Sequence, residues 1–172
     1  MEAKAISILN AHRTMAISTL RPDGWPQTTI VGYANDGLLI YFLISRTSQK
    51  LANIEHDDRV SFAIGKEPVD FHELKAVYAG ARASEVTDDD QRQNAWRLLM
   101  ERHPNLADFD LPDRSQAAMM RAPCIYVSIL DFTEGLGHSD ALTVTSPGLS
   151  LMEPARDADW GHSPATSNSE SA

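Results

Sequence analysis

The sequence predicts a mainly β domain with peripheral helices, and three observations carry that expectation. Two turn signals, Pro22-Asp23-Gly24 and Asn35-Asp36-Gly37, stand between runs rich in β-branched and aromatic residues, the pattern of antiparallel hairpins. Residues 74 to 86 alternate without a helical period, so they read as one long strand. Helical signals are confined to short stretches between or outside such runs.

In chain order, Ala5, Ile6, Ile8 and Leu9 give a short amphipathic helix ending near His12. Strands follow over 14–21, 26–34 and 38–45, with Pro22 and Pro26 at positions where a missing N–H is harmless. A helix of one or two turns covers 48–55, and Val60 to Ile64 alternates into a further strand. In the strand from Leu74 to Val86, both faces carry small residues, which predicts cover on both sides. Thr87 to Asp90 places acids at the positive end of a helix that runs to Pro104. Asp113 is expected to cap a second helix through Met120, stopped before Pro123. Cys124 to Asp131 and 141–145 close the series as strands.

At 172 residues the chain is sized for one domain. Residues 1–146 are read as that domain and 147–172, rich in Pro, Ser, Asp and Ala, as a disordered or partner-docking tail. The single cysteine, Cys124, excludes an internal disulfide, reads as a buried small hydrophobe in CIYVSIL, and fits a reducing cytoplasm. No run is long and apolar enough for a membrane span, and the N-terminus lacks the pattern of a signal peptide. A formal net charge of −9, from 24 acidic and 15 basic residues, repels polyanions, so nucleic acid is not an expected partner. A small anionic ligand is favoured instead.

The place for such a ligand is the break between the third strand and the helix after it. Arg46, Ser48 and Lys50 bring cations, a hydroxyl and free helix N–H groups to one point, which is a phosphate site in outline. The residues Ser48-Gln49-Lys50, with Leu51, Asn53 and Asp57-Asp58-Arg59-Val60 after them, resemble the S-x-K step of the flavin mononucleotide (FMN)-binding split-barrel family related to pyridoxamine 5′-phosphate oxidase. The stretch Asp131-Phe132-Thr133-Glu134-Gly135-Leu136-Gly137-His138-Ser139-Asp140 is similar to one found in a branch of these flavoproteins, and the resemblance covers residues 5–145. It implies a six-stranded antiparallel split β-barrel of the FMN-binding type, assembled as a homodimer with the cofactor at the interface. By the same resemblance Arg46, Ser48, Gln49 and Lys50 grip the flavin phosphate, with Gln49 standing where arginine is common. Thr28, Thr29, Ile30 and Val31 run beside the flavin ring, and Leu43, Ile44 and Ser45 border it.

Catalytic residues are not evident; the candidates are His138 and Asp140, a titratable pair in a Gly-punctuated loop that could deliver a proton or a hydrogen bond to a flavin. The remaining histidines show no metal-ligand spacing, and no metal is expected. Two function classes follow from the resemblance: a flavin-dependent oxidoreductase acting on a small molecule, or a non-catalytic module that holds flavin, deazaflavin or haem. The C-terminal stretch GLGHSDALTVTSPG lacks the Arg- and Trp-rich substrate motifs of true pyridoxamine phosphate oxidases, which argues against pyridoxal phosphate synthesis.

Overall fold

The computed structural model describes residues 1–106, 108–145 and 148–151. Helix α1 (Glu2–Ala11) buries Ala5, Ile8 and Leu9, one stripe at helical spacing, and ends where His12 turns extended. Its last carbonyls are capped from another part of the chain: the Arg102 guanidinium donates to Leu9 O at 2.9 Å and His12 O at 2.8 Å. The Tyr33 hydroxyl donates to Leu9 O at 2.6 Å. A cation at this negative helix end offsets the dipole.

Strands β1 (Thr14–Leu20) and β2 (Pro26–Gly32) form the first hairpin, with Gly24 at φ 85° in its turn. The run expected as one strand over 26–34 breaks at Tyr33. It restarts as β3 (Ala34–Asp36), which pairs with β4 (Leu39–Ser45) across Gly37. Helix α2 (Gln49–His56) follows, then β5 (Arg59–Gly65) and β6 (Lys75–Arg82). The expected long strand stops at Ala83 and resumes as the two-residue β7 (Ser84–Glu85). Helix α3 (Asp89–Arg102) starts where the Asp88 carboxylate accepts from Gln91 N.

The helix expected over 113–120 is not formed. Asp113 instead caps a turn, accepting from Ser115 N, and Ala117 opens the fifteen-residue strand β8 (Ala117–Asp131). The reason is tertiary: Ala117 to Met120 are all buried, because this part of β8 is covered by the barrel on one face and by α3 on the other. An apolar run covered on both faces carries no period to tell strand from helix. Pro123 is tolerated because it sits at the last β4 pairing, opposite Leu39, where the strand changes partners.

Strand β8 organises the molecule. Residues 117–123 pair with β4, and residues 124–131 pair with β6, with a register shift at Gly80/Ala81. Strand β9 (Ser139–Thr145) adds to the far side of β8, and β10 (Gly148–Leu151) adds to β9. The ladder order β2-β1-β5-β6-β8-β4 wraps into a barrel, and among the described residues no ladder joins β2 to β4. That open seam makes the antiparallel barrel split, with helices at its periphery. Strand β10 occupies the start of the stretch read as a tail, and 152–172 lie outside the described residues.

Two cores result. Ile17, Phe42, Ile64, Val77, Met120 and Ile129 fill the barrel, while Tyr41, Val86, Trp96, Leu99 and Met119 pack under α3. Cys124 belongs to the barrel core, where burial pushes its thiol up to about 12. Beyond the barrel the sheet presents an outer face. Ile30, Ala16, Ala63 and Tyr78 form one cross-strand row; Thr28, Ser18, Ser61, Gly80 and Tyr126 form the next. The Tyr126 ring lies over Gly80, where a Cβ would meet it at 2.1 Å and displace it.

Asn53, fully buried on α2, donates to Thr19 Oγ1 at 3.0 Å and to Gln27 Oε1 at 2.9 Å, and accepts from Gln49 Nε2 at 2.9 Å. Replacing it with alanine leaves three amide or hydroxyl partners short, so Asn53→Ala should lose about 1–3 kcal/mol in urea denaturation.

Asp131 supplies a second test. Burial pushes its carboxyl up, but the Thr133 hydroxyl and N–H, Lys4 and Lys75 outweigh that and hold it well below the usual carboxylate range. A depressed native value stabilises the fold above the unfolded value of about 3.9 and is lost as pH falls further. Urea midpoints should therefore drop below about pH 4, and Asp131→Asn should flatten that drop while lowering stability at neutral pH.

Candidate functional site

The corner between β4 and α2 is built by its own hydroxyls. Ser45 Oγ lies 3.1 Å from Thr47 Oγ1 and accepts from Thr47 N at 3.3 Å. Ser48 is the N-cap of α2, its hydroxyl accepting from Leu51 N at 3.2 Å. Gln49 and Lys50 occupy the first two helical positions, whose N–H groups have no acceptor within the helix. Donors and the positive end of the dipole thus point outward from the corner.

The two cations expected to share a phosphate are used differently. Arg46 forms a two-nitrogen ion pair with Glu85 of β7, and its Nε donates to Arg114 O at 2.6 Å. Arg114 continues the brace, donating to Val86 O, Thr87 O and the Asp89 carboxylate. Arg46 therefore ties the corner to β7 and to the turn before β8. Lys50 is the opposite case: it is half-buried, burial pushes its ammonium down, and it has no hydrogen-bond or ionic partner among the described residues. A desolvated cation beside unpaired helix N–H groups is a donor set that fits a phosphate. Gln49 Nε2 donates along the helix to Asn53 Oδ1 at 2.9 Å.

The strand residues divide between the two faces. Thr28 and Ile30 lie on the outer face, Ile30 at 68% exposure, and the Thr28 and Ser18 hydroxyls are 2.7 Å apart. Thr29 and Val31 share the opposite face with Gln27, whose amide is joined to α2 through Asn53. The Thr29 hydroxyl is enclosed and has no partner among the described residues, the one unsatisfied polar side chain on this strand. Leu43 packs toward α3, Ile44 is buried in the barrel, and Ser45 is exposed at the corner. The structure thus joins Ser45, Arg46, Ser48, Gln49 and Lys50 in one corner and links β2 to it by the Gln27–Asn53–Gln49 amide chain.

His138 and Asp140 are elsewhere. Ser45 pairs with Ala117 at one end of β8, whereas Asp140 pairs with Ile129 near the other end, so one chain does not bring the pair to the corner. A 3-10 turn over Phe132–Glu134 and two glycines, Gly135 at φ 147° and Gly137 at φ 82°, fold the loop back on itself. His138 Nε2 then lies 3.1 Å from Glu134 Oε2 and 3.4 Å from Asp140 Oδ2. Sequence reasoning passed over Glu134, Glu85 and the bridging role of Asn53. Only Asn53 had a local signal, its spacing of four from Gln49 on one helix.

Comparison with known proteins agrees with this architecture. No curated protein sequence matches the chain. Among solved structures, a haem-binding protein of Mycobacterium smegmatis superposes with a TM-score of 0.68 at 20% identity, over 83% of this chain and 56% of that one. This chain therefore spans little more than half of that protein. A conserved hypothetical protein of Mycobacterium tuberculosis gives 0.68 at 23% identity, covering 91% of this chain and 94% of its own. HutZ, the haem storage protein of Vibrio cholerae, gives 0.61 at 18% identity over 72% and 89%. Identities this low show a shared fold alone. The family model described as pyridoxamine 5′-phosphate oxidase matches residues 1–126, which include the barrel strands from β1 to the first part of β8, and the chain belongs to that family.

Proposed function

We propose that the protein is an FMN-binding flavoprotein, a flavin-dependent oxidoreductase acting on a small molecule, with the cofactor held between two copies of the chain. The observation that carries this reading is Lys50, desolvated and without a counter-charge among the described residues, beside the open N–H groups of α2. A terminal phosphate dianion would supply the missing charge, and its oxygens would find the Lys50 ammonium, the Ser48 hydroxyl and the first-turn N–H groups. Arg46 would act from behind, fixing the corner through Glu85. One free ammonium and one helix N-terminus suit a single terminal phosphate, and the ladders among the described residues are antiparallel, without the βαβ cradle of a dinucleotide, which favours FMN over flavin adenine dinucleotide. When bound, the flavin supplies hydride or electron chemistry; the protein grips, orients and shields it.

The outer sheet face supports assembly. Its two rows are small or apolar, yet Ile30, Tyr78 and Tyr126 are 68%, 43% and 45% exposed, so among the described residues nothing supplies the cover expected over β6 on this side. A two-fold copy would bury it. A second reading is haem, because two of the similar structures are described as haem proteins; the C-terminal histidine such a role would use, His162, lies outside the described residues.

The visible spectrum of the purified protein separates the readings, with flavin bands expected and a Soret band pointing to haem. Calorimetric titration should show FMN binding more tightly than riboflavin, and Lys50→Ala should lose a charge-assisted contact of roughly 1.5–3 kcal/mol, about one to two powers of ten in FMN affinity. The same variant should fold with undiminished stability, since it removes a desolvated charge. Unchanged FMN affinity in a folded Lys50→Ala would place the phosphate elsewhere. Sedimentation should give a dimer, and a monomer that binds flavin fully would end the interface proposal.

A further inference from the structure

At the end of β8 remote from the α2 corner, Glu134, His138 and Asp140 converge, their ligand atoms all within 4.8 Å of one another. We propose that these three side chains bind one divalent transition-metal ion of the zinc class, a site separate from the cofactor corner and independent of the flavin reading.

The cluster is more than neighbouring acids, because a histidine is its centre. Its Nε2 is enclosed between Glu134 Oε2 at 3.1 Å and Asp140 Oδ2 at 3.4 Å, at ion-pair distance but without hydrogen-bond geometry to either. The spacing suits a shared cation. Two ligand atoms each about 2.1 Å from a metal are about 3.0 Å apart across an octahedral edge and about 3.4 Å across a tetrahedral one. Either a proton on Nε2 or a metal ion can fill the space between the ring nitrogen and the two carboxylates, and only a metal coordinates all three ligand atoms at once.

Each ligand is already oriented by contacts outside the triad, as metal sites require. Lys4 of α1 holds the other oxygen of Glu134, Oε1, leaving Oε2 turned toward His138. The His138 backbone is fixed at both ends, its N–H donating to Gly135 O and its carbonyl accepting from Asp131 N. Asp140 sits in the ladder opposite Ile129. Asp131 is taken by Lys4, Lys75 and Thr133, which neutralises it and keeps it out of the triad. One imidazole with two carboxylates suits zinc and its neighbours, whereas magnesium and calcium prefer all-oxygen sets. Three protein ligands leave a further coordination position for water or an exogenous ligand.

The test is titration of the full, metal-stripped chain with zinc chloride by calorimetry, and with cobalt(II) by visible absorption as a reporter of coordination. One equivalent should bind and raise the thermal midpoint. His138→Ala and Asp140→Asn, checked for folding by circular dichroism, should each weaken zinc by at least about tenfold to a hundredfold. Magnesium should not compete, and His72→Ala, which alters an exposed histidine paired with Asp70, should change nothing. Absence of a saturable one-to-one step, or zinc affinity in folded His138→Ala equal to that of the parent chain, would overturn the assignment.

Discussion

Strand β8 is the constraint on which the architecture rests, because among the described residues it is the strand that pairs with both β4 and β6. Its first seven residues complete the ladder with β4, and its last eight complete the ladder with β6. The change of partner falls at Pro123 and Cys124, where the proline has no N–H to leave unpaired and the Cys124 N–H turns to Leu38 O at 3.1 Å. Both cores depend on this strand. Met120 packs into the barrel and Met119 under α3, as Phe42 and Tyr41 do on the neighbouring β4, so adjacent residues on both strands fasten the two layers together. The β4–α2 corner hangs from the same place, since Arg46 N donates to Gln116 O just before β8 begins.

Much of this was legible in the sequence, for reasons that differ between elements. The hairpins were readable because Gly24 and Gly37 need positive φ and announce it. Helix α2 was readable because Ser48 caps it and Leu51 and Ile54 keep a helical spacing. The start of β8 was not, because Ala117-Ala118-Met119-Met120 is buried on both faces and good helix formers filled it. The interruption at Tyr33 was hidden too: it answers to the Leu9 carbonyl and the Arg102 guanidinium, one far behind and one far ahead in the chain.

The corner shows how a residue list can conceal a division of labour. Arg46 and Lys50 look equivalent as letters, yet one is neutralised by Glu85 and the other is left desolvated. Glu85 sits on a two-residue strand that no local pattern reveals, so the pairing could not be read before the fold was known. Glu134 was missed for a similar reason. Its approach to His138 depends on two positive-φ glycines that reverse a loop, and a linear spacing rule built for helices and zinc fingers does not register that path.

Strand β8 also has a consequence for the order of events during synthesis. Until residue 117 leaves the ribosome, β4 and β6 each lack a neighbour, and both expose an unpaired backbone edge flanked by apolar side chains. More than two thirds of the chain is then made but cannot close. The nascent protein is thus at its stickiest late, and completion is a long-range event in which one strand must dock into two places. A messenger truncated before that strand yields two open sheet edges rather than a smaller barrel.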